Sequence, residues 1–411
     1  MEMTESLRKF IRDHLGDDPM ELLLHASRYQ GVEMETAITQ IKARRQIKDK
    51  LPVWHRNDRL IFPSTLAAEQ CSSEITAFYK QRLVQEGDWV CDLTGGLGVD
   101  CWSFAQKVRR VTFVEREETC CDAARTNFPL LGVNRVHIIH NDAINLLVKK
   151  DERIIGANIF YIDPARRGTE NKRLFAMSDC EPDLLKIIDL LPKPYSLIIK
   201  LSPMLDIAHT VRHIPDVREV HVVSVKNECK ELIVVAVYQK PYAGLTKPSN
   251  VDPTIHCINF TAEGMEQSFR FRLSDESNAS APIANRACSY LYEPNASVLK
   301  GGAYKSVACR FDMEKLHASS HLYTTDRLMP QFPGRIFEIT EIFPFNSRIC
   351  NALQSAIPEA NIAVRNFPLS VDELRKRTGI ADGGNIYLFA TTLSDNQKTL
   401  IKCMRIRQDI H

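Results

Sequence analysis

The sequence predicts an α/β protein built on a mostly parallel sheet, with a helical domain before the sheet and α+β domains after it. Seven short β-rich runs between residues 89 and 240 alternate with segments of helix length. The first five runs are apolar nearly throughout, as parallel strands covered by helices on both faces are. Only KNECK separates the last two runs, which is too short for a helical crossover, so these two strands are expected to pair antiparallel.

The segments before the sheet have the pattern of helices. They read TESLRKFIRDHL, DDPMELLLHASRY and VEMETAITQIKARRQIKDKL, and Asp18 followed by Pro19 is the usual order of an N-cap and a first helical residue. We therefore expect a helical domain over residues 1–65 and the sheet domain over residues 66–240.

The segments after the sheet indicate further folded domains. The linker-like stretch PYAGLTKPSNVDP is followed by two strand patterns, TIHCINF and QSFRFRL. Strand and helix patterns then alternate through GRIFEITEIF, SRICNALQSAI, NIAVRNF, SVDELRKRTG and NIYLFATTL. This order predicts a β-rich or α+β connecting domain over residues 250–328 and an α/β domain over residues 329–411.

Composition sets limits on the class of protein. The chain has 411 residues, of which 44% are hydrophobic and 25% charged, as in a soluble globular protein of several domains. A net charge of +2 means that any basic binding surface must be local. The 12 cysteines are scattered, form no CxxC pair and follow a polar start, so we expect free thiols in the cytoplasm and no metal site. No apolar run is long enough to span a membrane, and the oligomeric state stays open.

The stretch VCDLTGGLGVD, residues 90–100, has the pattern of a nucleotide-binding turn. A strand ends at Asp92, and Gly95, Gly96 and Gly98 lead into a helix, so the backbone can approach a ligand closely. Glu115 ends the next strand, 115 − 95 = 20 residues later, where a carboxylate can accept both ribose hydroxyls. The pattern favours an adenosine-bearing ligand over a tight turn without one.

Two ligands compete for such a turn, a dinucleotide and S-adenosylmethionine. The dinucleotide fingerprint needs a third glycine or an alanine where GLGVDC has Cys101. Asp92 would repel a pyrophosphate and attract the cationic amino group of a methionine moiety. The sequence therefore favours S-adenosylmethionine.

The ordered set VCDLTGGLGVD, TFVERE, HNDA, YIDPARRG and LIIKLSP resembles the class I S-adenosylmethionine-dependent methyltransferases over roughly residues 65–240. The resemblance implies a Rossmann-like sheet of seven strands with an antiparallel last strand. It also implies that Asp92 to Gly98 form the cofactor loop, that Glu115 binds the ribose, and that Asp142 lies beside the adenine amine.

Two segments refine this resemblance. Thr94 replaces the family's usual first glycine, and DLTGGLGVD is similar to the variant loop of guanine-N2 methyltransferases that act on small-subunit ribosomal RNA. FPSTLAAEQCSSEITAFYK is similar to the family's preceding motif, which implies that Gln70 and Ser73 reach the methionine end of the cofactor. The alternative for these two residues is the solvated face of a helix.

The segment DPARRG follows the fourth strand, where the carboxyl ends of strands line the ligand crevice. Pro164 stiffens the turn, so Asp163 and the adjoining carbonyls can accept both hydrogen bonds of an exocyclic amine. Such positioning can supply about 7 to 11 kcal/mol of the barrier, and no strong base is required. We expect Asp163 and Pro164 to orient the acceptor amine.

Asp-Pro-Ala resembles the Asp-Pro-Pro motif of amino-group methyltransferases, but Arg166 and Arg167 replace the stacking aromatic residue. Guanidinium groups can stack on a base or bind phosphates, so Arg166 is expected at the reacting centre and Arg167 on the nucleotide. The alternative is an ion pair with Glu170 or a solvated turn. Methylation at carbon 5 of a pyrimidine is disfavoured, because the nearest cysteine, Cys180, lacks the Pro-Cys context.

Lys200 ends the fifth strand, where it could contact a phosphate of the substrate or extend into solvent. Basic clusters at residues 43–59 and 373–379 suit contacts with an RNA backbone or are solvated faces. Residues 330–411 resemble the THUMP-like domain attached to some methyltransferases, chiefly through RNFPLSVDELRKRTGIADGG, and this resemblance implies an RNA substrate.

Together these patterns predict a cytoplasmic S-adenosylmethionine-dependent methyltransferase acting on RNA, at an exocyclic base amine such as guanine N2. A methyltransferase of proteins or small molecules is the first alternative. The second is a catalytically silent RNA-binding protein on the same fold.

Overall fold

A computed structural model describes residues 3–166, 180–238 and 252–408 of the chain. The chain divides into two compact units. The first unit comprises residues 1–201, 212–217 and 234–249, and the second comprises residues 202–211, 218–233 and 250–411. The division into four domains at the boundaries given above stays a prediction.

Helices precede the first strand, as the sequence predicts. They are α1 (Glu5–Asp13), α2 (Pro19–Leu24), α3 (Met34–Ile47), α4 (Pro52–Arg56), α5 (Thr65–Gln70) and α6 (Glu74–Gln81), with a 3₁₀ turn at Ala26–Arg28. Asp18 caps α2 as expected, because its side chain accepts the backbone N–H of Met20. Leu7, Phe10 and Ile41 belong to the apolar cluster that α1 and α3 share.

The sheet region contains β1 (Trp89–Asp92), α7 (Val99–Ala105), β2 (Arg110–Glu115), α8 (Glu118–Leu130), β3 (Val136–His140), α9 (Ala143–Val148), α10 (Glu152–Ile155), β4 (Ile159–Ile162), β5 (Ala165–Arg166), β6 (Cys180–Glu181), α11 (Leu184–Leu190), β7 (Tyr195–Leu201), α12 (Ile207–His213), β8 (Val217–Val225) and β9 (Glu228–Tyr238). Strands β3, β2, β1, β4 and β7 pair parallel in that order. Their carboxyl ends therefore lie along one edge of the sheet.

The number of strands differs from the prediction of seven. The sheet has nine described strands, in the order β11-β10-β8-β9-β7-β4-β1-β2-β3. Within the second unit, β10 (Thr254–Phe260) pairs parallel with β8, and β11 (Glu266–Arg272) pairs antiparallel with β10. The sequence predicts a separate connecting domain for these two strands, but the backbone groups of β10 pair with the otherwise open edge of β8.

The turn between β8 and β9 consists of Lys226 and Asn227, which both have positive φ values, 52° and 61°. Two-residue turns with positive φ at both positions are typical of β-hairpins. The two strands are neighbours in the sheet. The antiparallel direction of the last strand of the predicted seven stays a prediction.

The second unit continues with α13 (Leu273–Asn278), β12 (Tyr290–Pro294), α14 (Ala296–Gly301), α15 (Ser306–Phe311), β13 (Glu314–Lys315), β14 (Tyr323–Thr325), β15 (Gly334–Pro344), α16 (Ser347–Ala356), β16 (Asn361–Arg365), α17 (Val371–Thr378), β17 (Ile386–Thr392) and β18 (Lys398–Ile406). These strands form a sheet in the order β13-β14-β12-β15-β18-β17-β16. Successive residues of β17 enter different apolar clusters, Phe389 one and Leu388 the other, so this sheet is covered on both faces. Within the described ranges, no helix is long and apolar enough to cross a membrane.

Candidate active site

Acidic side chains gather where the parallel strands of the first unit end. Asp92 is the last residue of β1, Glu115 is the last residue of β2, and Asp163 directly follows β4. Lys200 lies one residue before the end of β7. The parallel register brings these four residues to the same edge of the sheet, as the sequence analysis predicts.

Asp92 is a buried carboxyl group with one hydrogen bond from the backbone. Its side chain is 1% exposed, and the N–H of Thr94 donates to its Oδ1 over 3.0 Å. Burial raises the pKa of Asp92 well above its ordinary value, and the charges of Asp100, Asp163 and Glu115 raise it further. Within the described residues, no cationic side chain pairs with Asp92.

The glycines of the turn serve packing as well as access. A Cβ at Gly95 would lie 2.4 Å from the ring of Phe113, and one at Gly98 would lie 2.8 Å from the ring of Phe128. Gly98 also has a φ of +88°, a conformation that suits glycine. Gly96 differs, because a Cβ there would meet no atom closer than 3.8 Å. Gly96 is therefore the position of the turn at which the backbone borders open space.

The carboxylate of Glu115 is held in place by backbone donors. The N–H of Gly96 donates to its Oε2 over 2.7 Å, and the N–H groups of Arg116 and Glu117 donate to its Oε1 over 2.8 and 2.9 Å. Each carboxylate oxygen can accept further hydrogen bonds. The carboxylate is thus fixed beside the glycine turn and retains acceptor capacity toward a ligand.

Asp163 connects the turn after β1 with the end of β7. Its backbone N–H donates to Oγ1 of Thr94 over 2.7 Å, and Nζ of Lys200 lies 2.5 Å from its Oδ2. The side chain of Lys200 is only 15% exposed. The sequence predicts that Lys200 contacts a substrate phosphate or extends into solvent, but the structure places its ammonium group on Asp163. The hydroxyl of Thr94, where the family usually has glycine, is thus used to position Asp163.

Sequence reasoning missed a buried network around Asp100. Ser72 and Tyr161 both donate hydroxyl hydrogen bonds of 2.7 Å to its Oδ2, and Nζ of Lys80 lies 3.1 Å from its Oδ1. Burial raises the pKa of Asp100, but the charges of Lys80 and Lys200 and the two hydroxyl donors outweigh burial, so that the pKa is lowered. Asp100 is the last residue of VCDLTGGLGVD, and Lys80 is the last residue of the motif before it. These positions were the signal in the sequence that could have indicated the ion pair.

The polar residues expected at the methionine and adenine ends have local roles in the structure. Ser73 caps α6 by accepting the N–H of Thr76 over 3.2 Å, and Gln70 is the exposed last residue of α5. In this segment the structure brings Ser72 rather than Ser73 to Asp100. Asp142 caps α9 by accepting the N–H of Asn145 over 3.0 Å, and it is half-buried. Their ligand roles remain proposals.

The segment after Asp163 has a partly described structure. Pro164 is half-buried and leads into β5, which pairs antiparallel with β6 through Ala165 and Arg166. Arg167 lies outside the described residues. Glu181 of β6 forms an ion pair with Arg116. The pairing of β5 with β6 therefore fixes the backbone of Arg166 close to Asp163 at the end of β4.

Two family models match the second unit. A ferredoxin-like domain matches residues 290–333, and a domain described as THUMP domain-like matches residues 334–405. A curated relative from Streptococcus mutans, named as an uncharacterized RNA methyltransferase, is 28% identical over 114 residues. That match covers 28% of this chain and 25% of the relative, so the chain matches about a quarter of the relative's length.

A crystal structure of a protein from Porphyromonas gingivalis W83, assigned as a methyltransferase, is similar over almost the whole chain. The two sequences are 36% identical, the match covers 99% of this chain and 100% of the other, and the TM-score is 0.86. The strand-end carboxylates, the glycine turn and the THUMP-like match agree with this similarity. The chain belongs to the class I S-adenosylmethionine-dependent methyltransferase family, in the group that carries a C-terminal THUMP-like domain.

Proposed function

We propose that the chain binds S-adenosylmethionine at the strand ends of the first unit and methylates RNA at an exocyclic base amine such as guanine N2. One observation carries the cofactor assignment. Asp92 is a buried carboxyl group without a cationic partner in the described part of the chain. Leaving such a group unpaired is costly, and a positively charged ligand would offset that cost.

The residues present fit this cofactor better than a dinucleotide. Asp92, Glu115 and Asp163 lie at the turn, and within the described residues Lys200 pairs with one of them, Asp163. A pyrophosphate would meet repulsion here, whereas S-adenosylmethionine supplies a methyl group on a cationic sulfonium. Glu115, held by three N–H groups, would accept the ribose hydroxyls, and Asp142 would lie beside the adenine amine.

Asp163 and Pro164 would orient the acceptor amine. One oxygen of Asp163 is occupied by Lys200, which leaves the other oxygen and the Pro164 carbonyl to accept the two N–H groups of the amine. Lys200 fixes the direction of the Asp163 carboxylate, while Thr94 fixes the backbone of Asp163 from the cofactor turn. Both contacts serve positioning, which is the main requirement for this transfer.

The second unit supports RNA as the acceptor. It contains the THUMP-like match, and the S. mutans relative is named as an RNA methyltransferase. Lys376 and Arg377 on α17 are exposed, whereas Arg375 of the same helix donates to the carbonyls of Ile380 and Ala360. Near the reacting centre, Arg166 and Arg167 would hold the target nucleotide by stacking or by phosphate contacts.

Calorimetric titration of the full chain with S-adenosylmethionine, S-adenosylhomocysteine and NAD tests the cofactor assignment. We expect binding of the first two ligands and none of NAD. A chain that binds none of the three would be a silent RNA-binding protein on this fold, and one that takes up NAD alone would contradict the proposal.

The acceptor is tested separately. Total RNA from a strain lacking the gene is incubated with the enzyme and labelled cofactor, and the modified nucleoside is identified by mass spectrometry. We expect label in a base methylated at an exocyclic amine. Label in protein or small molecules, with inert RNA, would instead support a different methyltransferase and overturn the RNA assignment.

A further inference from the structure

Two histidines of the second unit lie face to face on neighbouring strands. His221 of β8 and His256 of β10 are in register in a parallel pair. Their rings are stacked, with centroids 4.5 Å apart and planes inclined by 12°. Glu219 lies two residues before His221, so its side chain leaves β8 on the same face. The sheet register therefore brings two imidazoles and a carboxylate together.

The ligand atoms of these three side chains converge. Oε2 of Glu219 lies 3.0 Å from Nε2 of His221 and 4.0 Å from Nε2 of His256, and the ligand atoms all lie within 4.8 Å of one another. Three donors bound to one zinc ion at about 2.1 Å in tetrahedral geometry would be about 3.4 Å apart. Binding of one ion also requires the two stacked rings to turn out of their parallel arrangement, because the lone pair of each nitrogen lies in the plane of its ring.

A simple hydrogen bond between Glu219 and His221 does not account for His256. The nitrogen of His256 is too far from the carboxylate for a direct hydrogen bond, but it is at a distance that a shared ion can bridge.

The exposure of the three side chains and the charges around them determine the affinity that we expect for a metal ion. The side chain of His221 is 4% exposed and that of Glu219 is 43% exposed, so the inner ligand is fixed and the outer ligand leaves a path for an ion. Arg270 of β11 lies opposite His256 in register, and its charge opposes a second cation. We therefore expect micromolar rather than nanomolar affinity.

We propose that Glu219, His221 and His256 form a divalent-metal site with nitrogen and oxygen donors. Zn²⁺ is the ion that this donor set favours, because two imidazoles and a carboxylate are common zinc ligands. The site differs from the proposed active site in residues and in unit. A bound ion would link β8 to β10 and stabilise their pairing.

Cobalt titration of the full chain tests this site, because the absorption spectrum of bound Co²⁺ distinguishes nitrogen and oxygen ligands from thiolates. The protein is freed of metal by a chelator and dialysed before Co²⁺ is added. We expect one equivalent to give visible d–d bands without a thiolate charge-transfer band, with displacement by Zn²⁺. We also expect Zn²⁺ to raise the melting temperature.

Substitutions identify the donors. His256→Gln should weaken Co²⁺ binding at least tenfold, and Glu219→Gln provides a second variant at a more exposed position. His137→Gln, an exposed histidine on β3, is the matched control and should bind as wild type does. Circular dichroism and metal-free melting check that the variants fold. Equal affinity in wild type and both site variants, a thiolate band, or no binding would overturn the proposal.

Discussion

Two buried carboxylates, Asp92 in the first unit and Glu293 in the second, are surrounded differently. Glu293 is 4% exposed, and its oxygens accept hydrogen bonds from Nε of Arg335 over 2.8 Å and from Nη2 of Arg365 over 2.6 Å. Asp92 is 1% exposed, and among the described residues its hydrogen-bond donor is the backbone N–H of Thr94. The charge of Glu293 is neutralised by two arginines, whereas no cationic side chain in the described part of the chain pairs with Asp92.

The other acidic residues near Asp92 sharpen this contrast. Asp100 is paired with Lys80, and Asp163 is paired with Lys200. Stability alone would favour the same treatment of Asp92, because an unpaired buried acid destabilises the folded state. We infer that the exception marks the cofactor site, and the variants below test the inference in order of expected effect.

The largest effect is expected at Asp163. Because Asp163 is paired with Lys200, its substitution should strongly impair methyl transfer without weakening cofactor binding. Asp163→Ala should lower the single-turnover rate of methyl transfer by roughly 10²–10³, because an acceptor that orients the amine is removed. The affinity for S-adenosylmethionine should stay within about threefold of wild type, as measured by calorimetry. Asp163→Asn, which keeps one acceptor oxygen, should lose less. Full activity of Asp163→Ala would refute its role in orienting the amine.

Exchanging each carboxylate for an amide should give opposite effects on stability. Glu293→Gln should lower the free energy of unfolding by roughly 1–3 kcal/mol, because Arg335 and Arg365 lose their charged partner. Asp92→Asn should raise it without cofactor and weaken S-adenosylmethionine binding at least tenfold. Urea unfolding and calorimetry measure both effects. A loss of stability in Asp92→Asn would show that the carboxylate of Asp92 is already satisfied in the fold.

The pH dependence of the Asp92 effect has a defined sign. The pKa of Asp92 is raised in the folded state from an ordinary value of 3.8, so the folded protein holds this proton more tightly than the unfolded chain. Well below pH 3.8 the proton is bound in both states, and stability is lost as the pH rises from 3.8 through the raised pKa. The advantage of Asp92→Asn over wild type should therefore be small at pH 4 and grow toward pH 7, in parallel urea titrations.

A substitution at Gly95 tests whether packing against Phe113 fixes the conformation of the glycine turn that follows Asp92. Gly95→Ala should cost roughly 1–3 kcal/mol of unfolding free energy, because its Cβ would collide with the ring of Phe113. Gly87→Ala is the control, since no atom lies within 4 Å of a Cβ there. Melting curves of the two variants should differ clearly. Equal stability would mean that the ring of Phe113 moves aside easily and that the turn is less constrained than its packing indicates.

The sequence predicts those features of the fold and the site that depend on residues close together along the chain. Parallel strands and their polar ends are encoded locally, so Asp92, Glu115 and Asp163 were predicted at one edge. Pairing partners of long side chains are not local. For this reason Lys200 was assigned to a substrate phosphate or to solvent, and the network of Lys80 and Asp100 was missed.

Edge strands show the same limit. The residues of β10 and β11 have ordinary strand patterns, and nothing local shows that β10 joins the edge of β8. The facing pair of His221 and His256 depends on that pairing, so a search for ligand spacing along the chain does not reveal it. A sequence pattern predicts which residues share a strand face, but not which strand lies beside it.

The smallest effect is expected in the second unit, where an exposed arginine would bind an RNA phosphate, whereas Asp92 would bind the cationic cofactor. Arg377→Ala on α17 should weaken RNA binding only several-fold and reduce the slope of log K against log salt by about 1, because one phosphate contact is lost. Lys398→Ala, an exposed lysine at the start of β18, is the control for net charge and should leave the slope unchanged. Filter binding at several salt concentrations measures both variants. Equal slopes for Arg377→Ala and wild type would show that α17 does not contact the RNA backbone. They would leave the cofactor proposal unaffected, because Asp92 is proposed to bind the cationic cofactor and Arg377 an anionic phosphate of the RNA.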